Sequence, residues 1–311
     1  MIISASRRTD IPAFYSSWFF NRIKEKVVLV PNPYNSKMVS RTSLDPGVID
    51  CIIFWSKNPA PMLARLGELA PYNYYFQFTL NPYGKEIEKN LPPLGKRIET
   101  FQRLSDKIGK EKVIWRYDPV FINDTYTGNF HREKFAEIAG LIHPYTEKCM
   151  VGFIDHYQHI RTQTSLFRIG SLLQEDIEKI AVSFRKTALE YTFDIRTCTE
   201  KINLSHLGIP GGACIDNELI ERIAGYPLTT RKDKNQREVC RCIESIDIGM
   251  YESCLNGCIY CYANRRDEHA IRNNLTNHDG FSPLLIGQVK KEFVIKDRIM
   301  KSLRNNQLDL F

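Results

Sequence analysis

Ile49-Asp50-Cys51-Ile52-Ile53-Phe54-Trp55 is a nearly continuous apolar stretch within a chain of 311 residues. A run in which apolar and polar residues do not alternate regularly is typical of a β-strand that is buried on both faces. Other strand-like stretches recur as far as about residue 197, and segments with apolar residues at helical spacing lie between them. This order indicates repeated βα units, which build a parallel sheet covered by helices.

The predicted elements also suggest the architecture. Strands are predicted over residues 2–5, 27–30, 49–55, 74–79, 112–117, 150–154 and 192–197, and the clearest amphipathic helix over 177–188. There is no glycine-rich phosphate-binding motif, which argues against a dinucleotide-binding fold. We therefore expect the α/β class, in the form of a full or partial (β/α) barrel.

The composition is that of a globular protein, with 43% hydrophobic and 25% charged residues, and it excludes a disordered or collagen-like chain. No apolar run approaches the roughly 20 residues that span a bilayer. The Arg7-Arg8 pair comes too early for the apolar core of a signal peptide. We therefore expect a cytoplasmic protein without membrane association. The net charge of +7 indicates a mild preference for anionic partners.

Polar side chains follow six of the predicted strands. In a parallel barrel these strand ends converge on one mouth, where ligands bind. The candidates for catalysis or for binding carboxylate and phosphate groups are Arg7, Arg8, Asp10, Lys57, Arg116, Asp118, Asp155 and His156. Any one of them is equally compatible with an ordinary loop residue, and a structural role is the stronger alternative for His156. The expectation of a ligand-binding mouth rests on the recurrence of polar residues at the ends of six strands.

The most specific motif is Cys254-Leu255-Asn256-Gly257-Cys258-Ile259-Tyr260-Cys261-Tyr262, with the spacing C-x3-C-x2-C. The chain has nine cysteines, and most of them lie after residue 197. Metal or redox chemistry explains this odd number and this clustering better than disulfides do. Three thiolates on one loop suit three corners of a 4Fe-4S cluster and leave one iron open. Zinc, which prefers four ligands in closed sites, and simple burial of the thiols remain alternatives.

Four more cysteines lie in the same part of the chain, at Cys198, Cys214, Cys240 and Cys242. Four thiolates suffice for a second closed site, either an auxiliary iron–sulfur cluster, which we favour here, or structural zinc. The alternative is that Cys198 ends a strand and Cys214 lies in a turn without any metal. Cys51 and Cys149 lie in or beside apolar strands and are interpreted as ordinary core thiols.

Cys254, Cys258 and Cys261, together with Tyr260, resemble the cluster loop of radical S-adenosylmethionine (SAM) enzymes, especially that of the spore photoproduct lyase family. From Ser6-Arg7-Arg8-Thr9-Asp10 onward, the whole chain resembles an uncharacterised prokaryotic family known as domain of unknown function 1848. The first resemblance implies a 4Fe-4S cluster that binds SAM and cleaves it reductively to a 5′-deoxyadenosyl radical, which acts on an unknown substrate. It also implies an electron donor such as flavodoxin or ferredoxin.

One feature departs from that pattern. In radical SAM enzymes the cysteine loop follows the first barrel strand, whereas here it follows the last recognisable βα unit. In a closed barrel the first and last strands are neighbours, so a permuted order still places the loop over the mouth. Because of the permutation, the family's SAM-binding residues cannot be transferred to this chain.

The C-terminal residues Gln307-Leu308-Asp309-Leu310-Phe311 resemble the peptide by which bacterial proteins dock onto the DNA sliding clamp. Docking would make the protein a nucleic-acid repair or modification enzyme; the alternative is that Leu310 and Phe311 fold onto the protein itself. A third class is a non-catalytic zinc or iron–sulfur protein with a structural or redox-sensing role. We expect a barrel at residues 1–197, a cysteine-rich cap at 198–264 and an extension at 265–311.

Overall fold

The computed structural model describes residues 1–200, 202–265 and 268–305. Its centre is an eight-stranded sheet in which all paired strands are parallel. The strands, numbered in chain order and given in spatial order, are β10 (Ile246–Asp247), β1 (Ile2–Ala5), β4 (Cys51–Ser56), β5 (Tyr74–Thr79), β6 (Val113–Val120), β7 (Lys148–Phe153), β8 (Asp194–Cys198) and β9 (Gly211–Gly212). The predicted α/β class is confirmed.

Helices connect most of these strands. They are α1 (Ile11–Phe14), α2 (Ser16–Glu25), α3 (Leu94–Ile108), α4 (Gly128–Ile142), α5 (Arg161–Leu166), α6 (Gln174–Glu190), α7 (Asn217–Ala224) and α8 (Glu268–Thr276), with a 3-10 helix at Ala60–Leu69 after β4. The Thr127 hydroxyl accepts a hydrogen bond from the Phe130 N–H and caps the start of α4. None of the helices in the described ranges has the length and apolar character needed to cross a membrane.

A second, smaller sheet corrects one sequence prediction. Residues 27–30 form a strand, as expected, but β2 (Val27–Asn32) pairs antiparallel with β3 (Asn35–Ser43) outside the parallel series. The Asn32 side chain accepts a hydrogen bond from the Tyr34 N–H at 2.8 Å, which supports a tight hairpin turn and favours antiparallel pairing. β11 (Val294–Asp297) adds a third strand beside β3.

Both faces of the large sheet are buried, which explains the apolar run at residues 49–55. Phe54, Phe76 and Trp115 lie on the face that packs against α1 to α4 and α6. Ile53 and Tyr75 lie on the opposite face, together with Ile2, Cys51, Ile114 and Met150. That second face is covered by the chain between Cys214 and Ile243, which includes α7. The cysteine-rich region therefore forms part of the core of the sheet.

The series of predicted strands ends too early, at residue 197. Two short strands from the cysteine-rich region, β9 and β10, extend the sheet at its two edges, and β10 pairs with β1. Within the described ranges no ladder joins β9 to β10, so closure into a barrel remains a prediction. The division at residues 197 and 264 also remains a prediction, although Trp18 Nε1 on α2 donates to the Ser282 carbonyl oxygen at 2.9 Å and ties the C-terminal extension to the rest.

A buried histidine on α4 makes the stability of this fold depend on pH. The ring of His131 contacts the Tyr117 hydroxyl at 2.9 Å and the Phe121 carbonyl oxygen at 2.7 Å. Burial lowers the pKa of His131 from 6.5 to about 4. Between these two values the unfolded chain binds this proton and the folded chain does not, so stability falls as the pH falls through this window.

We predict that a His131→Gln variant lacks this pH-dependent change in unfolding free energy, which is about 3 kcal/mol over the whole window. Urea unfolding at about pH 7.5 and pH 4.5 measures the change in unfolding free energy for each protein. The change on acidification should be smaller in the variant than in the wild type, and a variant of the exposed His206, His206→Gln, should match the wild type. Equal changes in all three proteins would contradict the role of His131.

Candidate functional site

The cysteine loop, residues 254–261, lies at the carboxyl ends of β1, β4 and β5. Asn256 of the loop donates to the Asp10 carboxylate, just beyond β1, at 3.0 Å. Tyr260 contacts Lys57, which follows β4, with 2.9 Å between the hydroxyl and Nζ. Cys258 forms an isolated antiparallel bridge with Glu88 in the loop after β5. A loop that comes late in the sequence therefore reaches the end of the first strand.

Asp10 holds three parts of this site together. Its carboxylate accepts hydrogen bonds from Ser56 Oγ at 2.7 Å, from the Lys57 N–H at 2.8 Å and from Asn256. It also caps α1 by accepting from the Ala13 N–H at 3.0 Å. Burial raises the pKa of Asp10, and these hydrogen bonds oppose the rise. The predicted site residue Asp10 is thus a buried anchor for the loop.

Glu88, which the sequence analysis missed, is the second anchor. The residue is 2% exposed, and its Oε1 accepts a hydrogen bond from Lys57 Nζ at 2.7 Å and another from the Tyr260 hydroxyl. Arg97 Nη1 lies 3.4 Å from its other carboxylate oxygen. Burial alone would raise the pKa of Glu88, but the charges of Lys57 and Arg97 hold it below its usual range. The buried carboxylate of Glu88, which lies between Lys57 and Arg97, therefore accepts a hydrogen bond from Tyr260, the aromatic residue of the cysteine motif, and holds it in place.

Backbone contacts define the shape of the loop. Gly257 has a φ of +66°, and a Cβ there would lie 3.0 Å from Asn90 Nδ2, so this position favours glycine. Asn90 donates from its side chain to the Leu255 carbonyl oxygen at 2.7 Å. Asn264 does the same for the Cys254 carbonyl oxygen at 2.7 Å. Two side chains therefore hold the start of the loop, and Gly257 permits its turn.

The three thiols of the loop influence one another's charge, although part of each residue is exposed. Burial raises the pKa of Cys254, and the charges of Cys261 and Cys258 raise it further. Burial also raises the pKa of Cys258 and Cys261, whereas Lys57 opposes the rise at both. A hydrogen bond from the backbone N–H group of Asn256 opposes the rise in pKa at Cys254, and those from Ala263 and Asn264 oppose it at Cys261.

Arg7 and Arg8 surround a second carboxylate that the sequence analysis missed, Asp247 on β10. Asp247 accepts hydrogen bonds from Ser6 Oγ at 2.5 Å and from the Arg7 N–H at 2.8 Å. The guanidinium groups of Arg7 and Arg8 lie 4.0 and 3.9 Å from it. Arg8 also lies over the ring of Tyr251, 5.2 Å from its centroid. Arg7 and Arg8 remain 19% and 23% exposed, so both have surface left for a ligand.

Arg116 and Asp118 belong to a different part of the sheet edge. Arg116 forms an ion pair with Asp118 and donates from Nη1 to the sulfur of Cys214 at 2.8 Å. The sulfurs of Cys214 and Cys198 are 2.9 Å apart. Cys242 interacts with both Cys214 and Cys240, and the hydrogen bond from Cys242 lowers the pKa of Cys240 to about 6. Arg116 is therefore committed to the second group of cysteines.

The remaining predicted residues are less closely tied to the site. Asp155 forms an ion pair with Arg237 at 2.7 Å, and both side chains are half exposed. Nε2 of His156 is buried and has no hydrogen-bond partner among the described residues. The predicted clamp-binding residues 307–311 lie outside the described residues.

Within the part of the chain that the structure describes, no three His, Cys, Asp or Glu side chains are grouped so that they could hold a metal ion.

Comparison with known proteins identifies a family whose description names no activity. The sequence model described as "Domain of unknown function (DUF1848)" matches residues 2–263, which include the whole cysteine loop. No curated protein matches the chain.

The Glu88 network leads to a prediction about stability. A Glu88→Gln variant leaves Lys57 and Arg97 buried without their counter-charge, and we expect a loss of about 3–5 kcal/mol in unfolding free energy. Urea unfolding of the metal-free protein measures this loss. Replacing both partners, Lys57→Met with Glu88→Gln, should restore part of it.

The matched control is the half-exposed pair of Arg65 and Glu68, where Glu68→Gln should cost less than about 1 kcal/mol. Equal losses for Glu88→Gln and Glu68→Gln would show that Glu88 does not anchor the site.

Proposed function

The chain belongs to the family described as Domain of unknown function (DUF1848), and we propose that it is an iron–sulfur enzyme of radical SAM type. The family description names no activity, so the proposal rests on the loop of residues 254–261. The observation that carries it is the placement of three cysteines on one anchored loop at the carboxyl ends of parallel strands, where α/β proteins bind ligands.

The donor set suits a cluster with three protein ligands. Cys254, Cys258 and Cys261 lie close enough for their charges to interact, and backbone N–H groups of Asn256, Ala263 and Asn264 donate hydrogen bonds to the sulfurs of Cys254 and Cys261. Such hydrogen bonds to cysteine sulfurs are among the features that tune iron–sulfur clusters. The other cysteines lie in the core or in the second group, which leaves no fourth thiol for this loop.

Cys254, Cys258 and Cys261 would hold a 4Fe-4S cluster, which would supply an open iron for the amino and carboxylate groups of SAM. An electron from a donor such as flavodoxin or ferredoxin would reach SAM through the cluster and cleave the sulfonium bond. The chain itself supplies charge balance and shields one side of the loop from water. Lys57 places a cation beside Cys258 and offsets the negative charge of the thiolates. The ring of Tyr260, which packs against Tyr83 and Phe121, shields this side from water.

Substrate binding falls to the cations that keep exposed surface. Lys57 and Arg116 are committed to Glu88 and to Asp118 and Cys214, respectively. Arg7 and Arg8 also face carboxylates, Asp247 at 4.0 and 3.9 Å and, for Arg7, Asp233 at 3.6 Å, but their side chains keep 19% and 23% of their surface exposed. Guanidinium groups bind carboxylates and phosphates in a bidentate manner. We therefore assign the binding of an anionic group of SAM or of the substrate to Arg7 and Arg8.

Metal analysis after strictly anaerobic purification and reconstitution tests the cluster. We predict about four irons and four acid-labile sulfides per chain. A Cys258→Ser variant should lose most of both, because it removes one of three ligands. A Cys149→Ala variant, which alters a buried core thiol, should keep them. Zinc in place of iron at the loop, or full iron in Cys258→Ser, would contradict the assignment.

Reductive cleavage of SAM tests the activity. The reconstituted protein with dithionite should release methionine and 5′-deoxyadenosine, and Cys258→Ser should release neither. An Arg8→Gln variant should retain its iron but cleave SAM more slowly or bind it more weakly. A wild-type protein that holds the cluster and never cleaves SAM would indicate a structural or redox-sensing role.

A further inference from the structure

Two cysteines that the proposed function does not use lie in direct contact at one edge of the large sheet. Cys198 is the last residue of β8, and Cys214 lies two residues beyond β9, the strand that pairs with β8. Their sulfurs are 2.9 Å apart, and both residues are free thiols in this structure. Because the sulfurs of a disulfide are about 2.05 Å apart, bond formation needs a movement of only about 1 Å.

This contact separates two forms of sulfur chemistry. The sequence analysis grouped Cys198 and Cys214 with Cys240 and Cys242 in a second metal site. Two thiolates on one tetrahedral ion stand about 3.8 Å apart, which is wider than the contact of 2.9 Å between Cys198 and Cys214. Among the described residues, no three His, Cys, Asp or Glu side chains are grouped to hold a metal ion. The geometry therefore favours a bond between the two sulfurs over a shared metal ion.

A buried guanidinium group beside Cys214 favours the reactive form of its sulfur. Arg116 Nη1 donates to the sulfur of Cys214 at 2.8 Å, and Arg116 is held in turn by Asp118 and by Gln77 Oε1 at 3.4 Å. A neighbouring cation stabilises a thiolate, which is the form of cysteine that attacks another sulfur. The Tyr75 hydroxyl and Gln77 Nε2 donate to the Cys214 carbonyl oxygen at 2.6 and 2.9 Å and fix the backbone there.

The two thiols differ in their access to solvent. Cys198 is partly exposed, whereas Cys214 is only 5% exposed. A cavity of about 660 Å³ is lined by Thr197 and Thr199, the two chain neighbours of Cys198. A small molecule in this cavity therefore reaches Cys198 before Cys214.

The charges around the cavity indicate which small molecule fits. Its charged lining residues are three cations and two carboxylates, namely Arg231, Lys232, Arg241, Glu200 and Glu238. This excess of positive charge favours an anionic ligand, and guanidinium groups bind carboxylates in a bidentate manner. A low-molecular-weight disulfide that carries carboxylates, such as oxidised glutathione, has the required charge.

We propose that Cys198 and Cys214 form a redox-active pair that exchanges with low-molecular-weight disulfides bearing carboxylates. The Cys198 thiolate attacks one sulfur of the incoming disulfide, forms a mixed disulfide and releases one small thiolate. The Cys214 thiolate then attacks the Cys198 sulfur and displaces the second small thiolate. The pair loses two electrons and two protons, and the small disulfide becomes two thiols. This pair is independent of the cluster proposed for residues 254–261.

Oxidation of the pair changes how the cover of the sheet is attached. Cys198 belongs to β8, whereas Cys214 begins the chain that covers the second face of the sheet. The bond joins residues 16 positions apart, and such a cross-link lowers the entropy of the unfolded chain. The redox state of small thiols around the protein therefore sets the stability of this part of the fold.

Peptide mapping of the full-length protein tests the proposal under anaerobic conditions, with oxidised glutathione as the oxidant. After alkylation of the remaining free thiols and proteolysis, mass spectrometry should identify a Cys198–Cys214 disulfide, and dithiothreitol should remove it. A Cys214→Ser variant should instead retain one glutathione on Cys198. A Cys198→Ser variant should take up little glutathione at Cys214, because that thiol is buried.

A Cys242→Ala variant is the matched control, and it should form the same disulfide as the wild type. Three results would overturn the proposal: alkylation of both thiols after oxidation, a disulfide that joins Cys198 to Cys240 or Cys242, or a stoichiometric metal ion that prevents oxidation and is lost in Cys198→Ser. Absence of iron from the loop of residues 254–261 would overturn the proposed function and leave this disulfide unaffected.

Urea unfolding compares the reduced and oxidised forms of the same wild-type chain, so this test does not depend on whether a variant folds. The midpoint of unfolding should lie at a higher urea concentration for the oxidised form, because the cross-link restricts the unfolded chain. The Cys214→Ser variant should lack this rise. An oxidised midpoint at or below the reduced one would contradict the attachment of the cover by this bond.

Discussion

The position of the cysteine loop depends on the buried carboxylate of Asp10. This side chain accepts hydrogen bonds from the end of β4, from the first turn of α1 and from Asn256 inside the loop. A buried carboxylate is stable only if such donors compensate for its lost hydration. The same bonds that satisfy Asp10 therefore place the loop at the strand ends, and the Glu88 network holds the other side of the loop in the same way.

Two features of the sheet make room for this arrangement. β10 pairs with β1, which returns the late part of the chain to the first strand. The chain from Cys214 to Ile243 covers the second face of the sheet and fills the space that an isolated parallel sheet would expose. The loop can thus follow the last βα unit in sequence and still lie beside the first strand in space.

The sequence predicts the fold class and part of the site. The apolar run at 49–55 and the helical spacing at 177–188 are correct indicators, because burial of both sheet faces and of one helix face produces these patterns. β9 and β10 have two residues each, too few to show a period. Glu88 and Asp247 carry no local signal, because Tyr260 and Ser6, their partners, are 172 and 241 residues away.

Electron paramagnetic resonance of the anaerobically purified, dithionite-reduced protein tests the central claim most directly. If the loop holds a cluster with one open iron, the reduced protein gives a 4Fe-4S signal, and added SAM shifts it by binding to that iron. The account predicts this shift in the wild type and its absence in a Cys261→Ser variant. A protein without the signal, or a signal that SAM leaves unchanged, would contradict the account.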